Sequence, residues 1–505
     1  MEDAVTPQTV NISLVSHTNA GKTTLVRTLL QQDVGEVRDA AHVTEFATGY
    51  VMVQAEAETL MLWDTPGFGD TARLVTRLRM AGNPIGWLMT QVWDRFRDRP
   101  FWSSQQAVRN ARDEADVVLY LVNASEDPAG AAFVPLEMEV LAWVGKPIIL
   151  LLNQVGPPGD DNHEDETRWS EHLASTGLIR GSLTLDAFAR CWVQEGTLLQ
   201  LVEPLLPPEK QAPMERLSNA WARRNLERFH ASMRVLAEHL ALAAADREEV
   251  GERKWQDRVR GAVLNPGGGD NSPEAKRAMG KLAERLDRSV RSSTDELISL
   301  HGLSGRAAQE VLKRLKNDFT ETATAREGVA AMLGGLVSGA AGGLAADVAS
   351  GGLTLGGGMI VGGLLGAFGA GTAARGYNMA KGDDVNQVRW AEPFFTDLVR
   401  SALLRYLAVA HFGRGRGEWE EGEHPPAWQS AITSAVTDEQ PAIRRGLQLA
   451  SGPEREQAAA ELEQVLTRTA RRLLLLFYPD AAHIFERDSS GPPLARAPAS
   501  LAAPA

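Results

Sequence analysis

The sequence predicts an α/β domain with a mostly parallel sheet and helices on both faces. A mainly α-helical C-terminal region follows, containing a glycine-rich apolar helical hairpin. Three observations predict this. Apolar strand-like runs alternate with helix-period segments over residues 9–205. A glycine-containing loop, Ser16 to Thr24, stands between a strand pattern and a helix pattern. From Pro213 onward long amphipathic helices take over, interrupted by two uncharged glycine-rich runs.

A chain of 505 residues is too long for one ordinary core. We expect the α/β domain over 1–207, a helical domain over 208–328, the hairpin over 329–375, further helices over 376–486, and a disordered tail over 487–505. The formal net charge of −13 argues against a general nucleic-acid-binding surface. The one cysteine, Cys191, excludes an intramolecular disulfide and fits a reducing compartment. The start, MEDAVTPQ, lacks a basic stretch followed by an apolar core, so no signal peptide is expected. The expectation is a cytoplasmic protein, or one attached to a membrane from the cytosolic side.

Taken in order, the first strand pattern is Val10 to Val15, and the first helix pattern starts at Leu25. Between them SHTNAGKTT matches G-x-x-x-x-G-K-[ST], except that Ser16 replaces the first glycine. Backbone N–H groups from Asn19, Ala20, Gly21, Lys22, Thr23 and Thr24 would point at phosphates, aided by the helix N-terminus. Lys22 would reach the β- and γ-phosphates, and the Thr23 hydroxyl would sit on Mg2+. A polar stretch, Gln31 to Thr48, follows. Within it Thr44 is the candidate for closing over Mg2+ and sensing the γ-phosphate, with Thr48 as a competitor.

The strand Thr59 to Trp63 runs into Asp64-Thr65-Pro66-Gly67. An aspartate at a strand end can hold the Mg2+ hydration shell, and the Gly67 N–H can report the γ-phosphate. Lys22, Thr44 and Gly67 are thus the candidate catalytic set. Position 68 is Phe68, where a water-orienting glutamine would stand in Ras-type enzymes. Thr71 to Arg112 is longer than one helix and carries Trp87, Trp93, Phe96, Phe101 and Trp102. It reads as core for an added helix, as a partner surface, or as a membrane-facing element.

Val117 to Val122 and Ile148 to Leu152 read as buried strands. The second ends at Asn153-Gln154-Val155-Gly156, where a guanine-binding N-K-x-D would stand. Asn153 and Gln154 are the candidate base contacts. Gly156 removes the aspartate that reads the guanine edge, and Asp160 or Asp161 are the nearest substitutes. A last strand, Ser182 to Leu185, meets Asp186-Ala187-Phe188, the place of the fifth nucleotide-contacting loop.

With SHTNAGKTTL, DTPGFGD and a strand ending in NQ, roughly the first 200 residues resemble the Era-like branch of bacterial GTPases, in the TRAFAC class. More narrowly, N-Q-x-G and the stretch Asp186 to Trp192 (DAFARCW) resemble a bacterial group with an Era-like G domain and a long C-terminal domain of unknown function. The resemblance implies GTP and GDP as ligands, Mg2+ as cofactor, and an inner-membrane setting if there is one. It also implies a role for Asn19. In potassium-dependent members an asparagine at that position holds a K+ ion near the phosphates, in place of an arginine finger. The alternative is that Asn19 only stabilises the loop.

In the helical region, Phe229, Met233, Leu236 and Leu240 share one face, as do Val311, Leu312, Leu315 and Phe319. Val329 to Ala346 and Val348 to Ala374 carry no charge. A helix over the first run is about 27 Å long, near the hydrocarbon thickness of a bilayer. Gly335, Gly339 and Gly343, then Gly358, Gly362 and Gly366, put small residues every fourth position, as closely packed membrane helices do. Membrane lipid is therefore one expected partner, and a hairpin buried in protein is the other reading. Phe394 to Phe412 and Glu454 to Phe477 are further helices, the latter apolar at Leu462, Val465, Leu466, Leu473 and Leu476.

Three functions fit. One is a GTP-hydrolysing switch acting at the cytosolic face of a membrane. Another is a dynamin-like membrane remodeller whose self-association, through the G domain or the helices, is controlled by nucleotide. The third, raised by Gly156, is an ATP-specific hydrolase.

Overall fold

The computed structural model describes residues 8–32, 46–90, 98–154, 160–187, 189–250, 273–303, 377–381, 386–412, 426–452 and 454–486. Thr44, Gly156, the 329–375 hairpin and the 487–505 tail lie outside the described residues. The chain divides into two compact units. One comprises Met1–Arg228, Ile298–Arg314 and Tyr406–Gln429, the other Phe229–Leu297, Leu315–Arg405 and Ser430–Ala505.

The first unit is built on a six-stranded sheet of order β2-β3-β1-β4-β5-β6. Its strands are β1 (Gln8–Val15), β2 (Thr48–Ala55), β3 (Glu58–Asp64), β4 (Val117–Asn123), β5 (Ile148–Asn153) and β6 (Ile179–Thr184). All neighbours pair in parallel except the hairpin β2–β3, which is antiparallel at the edge. Strand β1 lies between β3 and β4, so the chain moves outward from it in both directions. That reversal opens a crevice beyond the carboxyl ends of the strands, where ligands of open α/β sheets bind. The apolar runs in β4 and β5 are buried throughout, apart from Asn123, as expected for strands covered on both faces.

The helices α1 (Lys22–Leu30), α2 (Thr71–Leu78), α3 (Pro84–Thr90), α4 (Arg99–Asp113), α5 (Phe133–Val144) and α6 (Asp160–Ala174) lie between these strands, and α7 (Trp192–Val202) follows β6. Two features differ from the expectation. Strand β2 (Thr48–Ala55) begins at the end of the polar stretch, where no strand is expected; its run Tyr50 to Val53 pairs with β3 as a hairpin. Among the described residues, the long stretch after Asp64 forms three helices. Within it Phe101 is buried in the core, with the guanidinium groups of Arg73 and Arg77 5.0 and 4.7 Å from its ring centre. Trp87 packs partly buried against the same core.

Helix α8 (Pro208–Ala245) begins five residues before Pro213, which lies inside it. In the second unit its residues Phe229, Met233, Leu236 and Leu240 are all buried, as their spacing requires. Helix α9 (Pro273–Leu300) contributes Leu282, Leu286, Val290 and Leu297 to burial. A three-stranded antiparallel sheet of order β7-β9-β8 joins β7 (Arg247–Val250), β8 (Tyr377–Lys381) and β9 (Asn386–Trp390). β7 lies far in sequence from β9, so its pairing leaves no local signal. Arg285 of α9 ties into this region through Asp246 and Glu248, both at 2.9 Å.

Among the described residues the remaining helices are α10 (Glu392–Ala410), α11 (Pro426–Asp438), α12 (Gln440–Ala450), α13 (Arg455–Phe477) and α14 (Ala482–Glu486). On α13, Leu462, Val465, Leu466 and Leu473 are buried, but Leu476 is 59% exposed. The buried stripe advances through Leu474 in the last turn, so Leu476 falls outside it. Among the described residues no helix is long and apolar enough to cross a membrane.

Helices α12 and α13 approach closely at Gly446. A Cβ there would lie 2.8 Å from Leu462 Cδ2 and 2.9 Å from its Cγ. Because Cγ is anchored near the helix, α13 itself would have to move. We therefore expect Gly446→Ala to destabilise the protein by about 1 kcal/mol, the overpacking outweighing the helix-propensity gain of similar size. Denaturant unfolding of the variant checks this, and increased stability would contradict it.

Candidate functional site

The site begins where β1 ends. Asn19 and Gly21 both adopt left-handed backbone, with φ of 67° and 88°. Two left-handed residues so close together curl the chain back, which lets successive N–H groups face one point. Asparagine tolerates this conformation better than most residues. At Gly21 space also matters, since a Cβ would lie 2.6 Å from Asn153 Nδ2.

The off-pattern Ser16 has a definite use. It is fully buried, and its Oγ accepts a hydrogen bond from Lys22 Nζ at 2.7 Å. The ammonium also donates to the His17 carbonyl at 3.1 Å. Burial lowers the Lys22 pKa to about 8, an effect the carboxylates of Asp64 and Glu137 partly offset.

Asp64, at the end of β3, is 2% exposed. Its Oδ2 accepts the Thr23 hydroxyl at 2.6 Å. Its Oδ1 is buried and has no hydrogen-bond partner among the described residues. Burial pushes the carboxyl up from its ordinary 3.8 to about 6, against the Thr23 hydrogen bond and the charges of Lys22 and Arg27. A buried orphan carboxylate oxygen beside a hydroxyl is an all-oxygen donor set that suits a hard divalent cation such as Mg2+. Thr48, the competing candidate for the cation-facing threonine, pairs with Asp64 across the β2–β3 ladder but is exposed.

The DTPG segment is pressed against the phosphate loop. Thr65 Oγ1 donates to the Leu14 carbonyl at 2.6 Å, and the Phe68 N–H donates to the Ser16 carbonyl at 2.9 Å. A Cβ on Gly67 would lie 2.8 Å from Thr18 Cα, so only glycine permits this approach. Phe68 is fully buried in the core, which removes it from any water-orienting role.

Asn153 ends β5 and is fully buried. Its Nδ2 donates to the Ala20 carbonyl at 3.0 Å, and its Oδ1 accepts the Ala187 N–H at 2.9 Å. Both ends of the amide are thus committed to joining the phosphate loop to the loop after β6. Gln154 follows with a left-handed φ of 60°. Ala187 is held from its other side as well, its carbonyl accepting the Thr28 hydroxyl of α1 at 2.8 Å. Asp160 and Asp161 open α6.

The structure thus brings together Asn19, Ala20, Gly21, Lys22, Thr23, Thr24, Asp64, Gly67 and Asn153 at the carboxyl ends of β1, β3 and β5. The sequence reading passed over Glu137. This carboxylate is fully buried, and its Oε1 lies 2.7 Å from His17 Nδ1, in the phosphate loop. A signal for it existed: Val134, Glu137, Met138 and Leu141 form one buried helical stripe, with an acid in the middle.

Residues 178–473 match the family model described as a domain of unknown function, DUF3482. Residues 11–154 match the model described as 50S ribosome-binding GTPase. A comparison with curated proteins finds no match. Among solved structures, one of Era with MgGDPNP and a segment of 16S ribosomal RNA is 18% identical, with a TM-score of 0.30, over 40% of this chain and 57% of that one. A variant of Aquifex aeolicus Era bound to GDP.AlF4- is 14% identical, with a TM-score of 0.31, over 56% of this chain and 88% of that one. A variant of SsGBP is 15% identical, with a TM-score of 0.23, over 35% of this chain and 50% of that one. The chain therefore spans little more than half of the first of these Era structures.

The electrostatics of Asp64 yield a prediction. Its folded pKa of about 6 exceeds the unfolded value, so the nucleotide-free protein gains stability from this group as pH falls from about 6 toward 4. Above that range the buried charge is a standing cost. Asp64→Asn should raise the stability of the nucleotide-free protein at pH 7.5, on the order of 2 kcal/mol. It should also abolish any Mg2+-dependent gain in nucleotide affinity. Thermal unfolding with and without nucleotide and Mg2+ checks both halves.

Proposed function

We propose a nucleotide switch from one premise: the chain belongs to the family of the domain of unknown function DUF3482, and its N-terminal part is a P-loop GTPase domain. The reading is that the protein binds GTP, hydrolyses it to GDP and phosphate, and signals the difference to its helical region. The observation that carries it is the cluster of Lys22, Thr23 and Asp64, set by the left-handed turn at Asn19 and Gly21.

Each residue has a task. The N–H groups of Asn19 to Thr24 bind phosphate oxygens, at the positive end of α1. Lys22 lies buried, so its charge acts in a medium of low dielectric, where it binds phosphate more strongly than in water. Thr23 and Asp64 would hold Mg2+, which when bound neutralises charge on the β- and γ-phosphate oxygens. Gly67 packs on Thr18, and its N–H is proposed to read the γ-phosphate. Thr44, in the 31–48 segment, is proposed to close over that phosphate.

With Phe68 buried, the residue after DTPG supplies no catalytic side chain. The proposed substitute is a K+ ion on Asn19, as the resemblance to potassium-dependent members implies; Asn19 itself has left-handed backbone in the loop. For the base, Asn153 braces both loops around its site, and Gln154 is the adjoining contact. The readout is proposed at a cytosolic membrane surface, through the two uncharged runs 329–346 and 348–374.

Four measurements on the full chain test this. GTP should outcompete ATP for binding, and preference for ATP would replace GTP as substrate. Lys22→Ala should reduce affinity at least about a hundredfold, the loss of a buried charged partner of phosphate; retained affinity would refute the site. Turnover should be faster in KCl than in NaCl, and equal rates would remove K+ from the scheme. Vesicles should bind the protein, and lipid-driven assembly with a concentration-dependent rise in turnover would instead favour the dynamin-like reading.

A further inference from the structure

Glu137 is buried in the core of the first unit, in the middle of the apolar helix α5. A buried carboxylate persists only where its oxygens are well bonded. Its partners come from three different elements. Oε1 faces His17 Nδ1 at 2.7 Å, in the phosphate loop. The same oxygen accepts the Thr71 hydroxyl at 3.3 Å, at the first residue of α2. Oε2 accepts the Tyr120 hydroxyl of β4 at 2.6 Å, which fixes the orientation of the carboxylate.

The grip on His17 is double. Phe133, one turn earlier on α5, stacks on the imidazole with ring centres 4.1 Å apart and planes 22° from parallel. The carboxylate neighbour selects the tautomer with its proton on Nδ1. His17 in turn offers the carbonyl that accepts Lys22 Nζ at 3.1 Å. On the other side, the Thr71 hydroxyl has one hydrogen and two acceptors: Glu137 Oε1, and the Gly69 carbonyl at 3.2 Å. Gly69 lies two residues beyond the γ-phosphate-reading Gly67. One carboxylate therefore touches both the loop that holds the phosphate lysine and the segment that reports the γ-phosphate.

We propose that Glu137 is a positioning residue for hydrolysis, coupling the phosphate loop through His17 to the post-DTPG helix through Thr71. It rests on the GTPase reading above and adds the means by which the two loops share one geometry. The Thr71 hydroxyl is the movable member. When Gly67 turns to a γ-phosphate, the Gly69 carbonyl shifts with it, and the hydroxyl is free to commit to Glu137. The carboxylate then holds α2 and His17 together in the reactive arrangement.

The experiment compares Glu137→Gln, Thr71→Val and Thr71→Ser in the full chain, with Glu139→Ala as control. Glu139 joins the same two helices through its ion pair with Arg79, but on the exposed surface. Single-turnover GTP hydrolysis gives the rate, and fluorescent GDP and a slowly hydrolysed GTP analogue give the affinities. Glu137→Gln and Thr71→Val should slow hydrolysis about ten- to a hundredfold, as misplacement of reacting groups does, with GDP affinity within about twofold of wild type. Thr71→Ser, which keeps the hydroxyl, should recover most of the rate, and Glu139→Ala should match wild type.

Unchanged hydrolysis in Thr71→Val overturns the proposal, as does a Thr71→Ser rate as low as that of Thr71→Val. An equal loss in Glu139→Ala overturns it too, since that would be general loosening of α2 on α5. Should Glu137→Gln fail to fold, the two Thr71 variants decide. A wild-type chain that binds no guanine nucleotide overturns the GTPase reading and this proposal with it. A wild type that hydrolyses GTP beside indifferent variants overturns this proposal alone.

Discussion

The contact on which the site depends is the one between the ends of β1 and β3. These parallel neighbours pair in register from Gln8 with Glu58 to Leu14 with Asp64. That register delivers Ser16 and Phe68 side by side, joined by a backbone hydrogen bond of 2.9 Å. Everything later in the site inherits this placement. Thr23 meets Asp64 because the helix after the phosphate loop starts beside the end of β3. Gly67 meets Thr18 because no side chain separates them. Preorganisation of this kind is what makes buried charge useful. Lys22 and Asp64 both suffer from desolvation, and the fold holds them in place through partners on rigid strands and a helix.

Much of this was legible because strand–loop–helix context is local. The run Val10 to Val15, the loop through Thr24 and the helix beyond are contiguous, and each residue's role follows from its offset. The same holds for Asp64 to Gly67. Burial of β4 and β5 was legible from unbroken apolar runs. What escaped depended partly on distant pairing: β7 finds β9 across a long interval, Arg247 pairing with Arg389. The hairpins β2–β3 and β8–β9 are local, and their strands were passed over because they are short or begin in a polar stretch. The end of α13 was misread at Leu476, where two periodic continuations were open and packing chose the one through Leu474.

Within the site, the sequence pointed to Asn153 as a base contact, while the structure gives its amide a bracing task. Ala20 and Ala187, its two partners, lie 133 and 34 residues away. No spacing rule could announce that. The serine in place of the first glycine looked like a defect in the motif. It proves to be a hydrogen-bond acceptor for Lys22, available because the residue is buried next to the lysine's Nζ. Glu137 was hidden for the opposite reason. It sits inside a helix that otherwise reads as plain core, and its meaning lies entirely in what faces it.

The two family matches meet at a boundary that is not a boundary in space. The GTPase match ends at residue 154 and the DUF3482 match begins at residue 178. Yet β6, inside the second match, is a strand of the first unit's sheet, pairing with β5 from Ile148 with Ile179 to Leu152 with Thr184. The loop after it closes on Asn153 and on Thr28 of α1. A few residues on, Arg190 pairs with the buried Glu195 at 2.7 Å, Glu195 accepts from Trp221 of α8, and Trp192 donates to Tyr406 at 3.2 Å. The part of the chain that defines the family therefore starts among the nucleotide-facing loops. Its first buried contacts run from those loops into α8 and into the segment around Tyr406. Among the described residues, hydrogen bonds and a buried ion pair thus join the loops around Asn153 and Thr28 to the start of the second family match, so the two matches share one packed core.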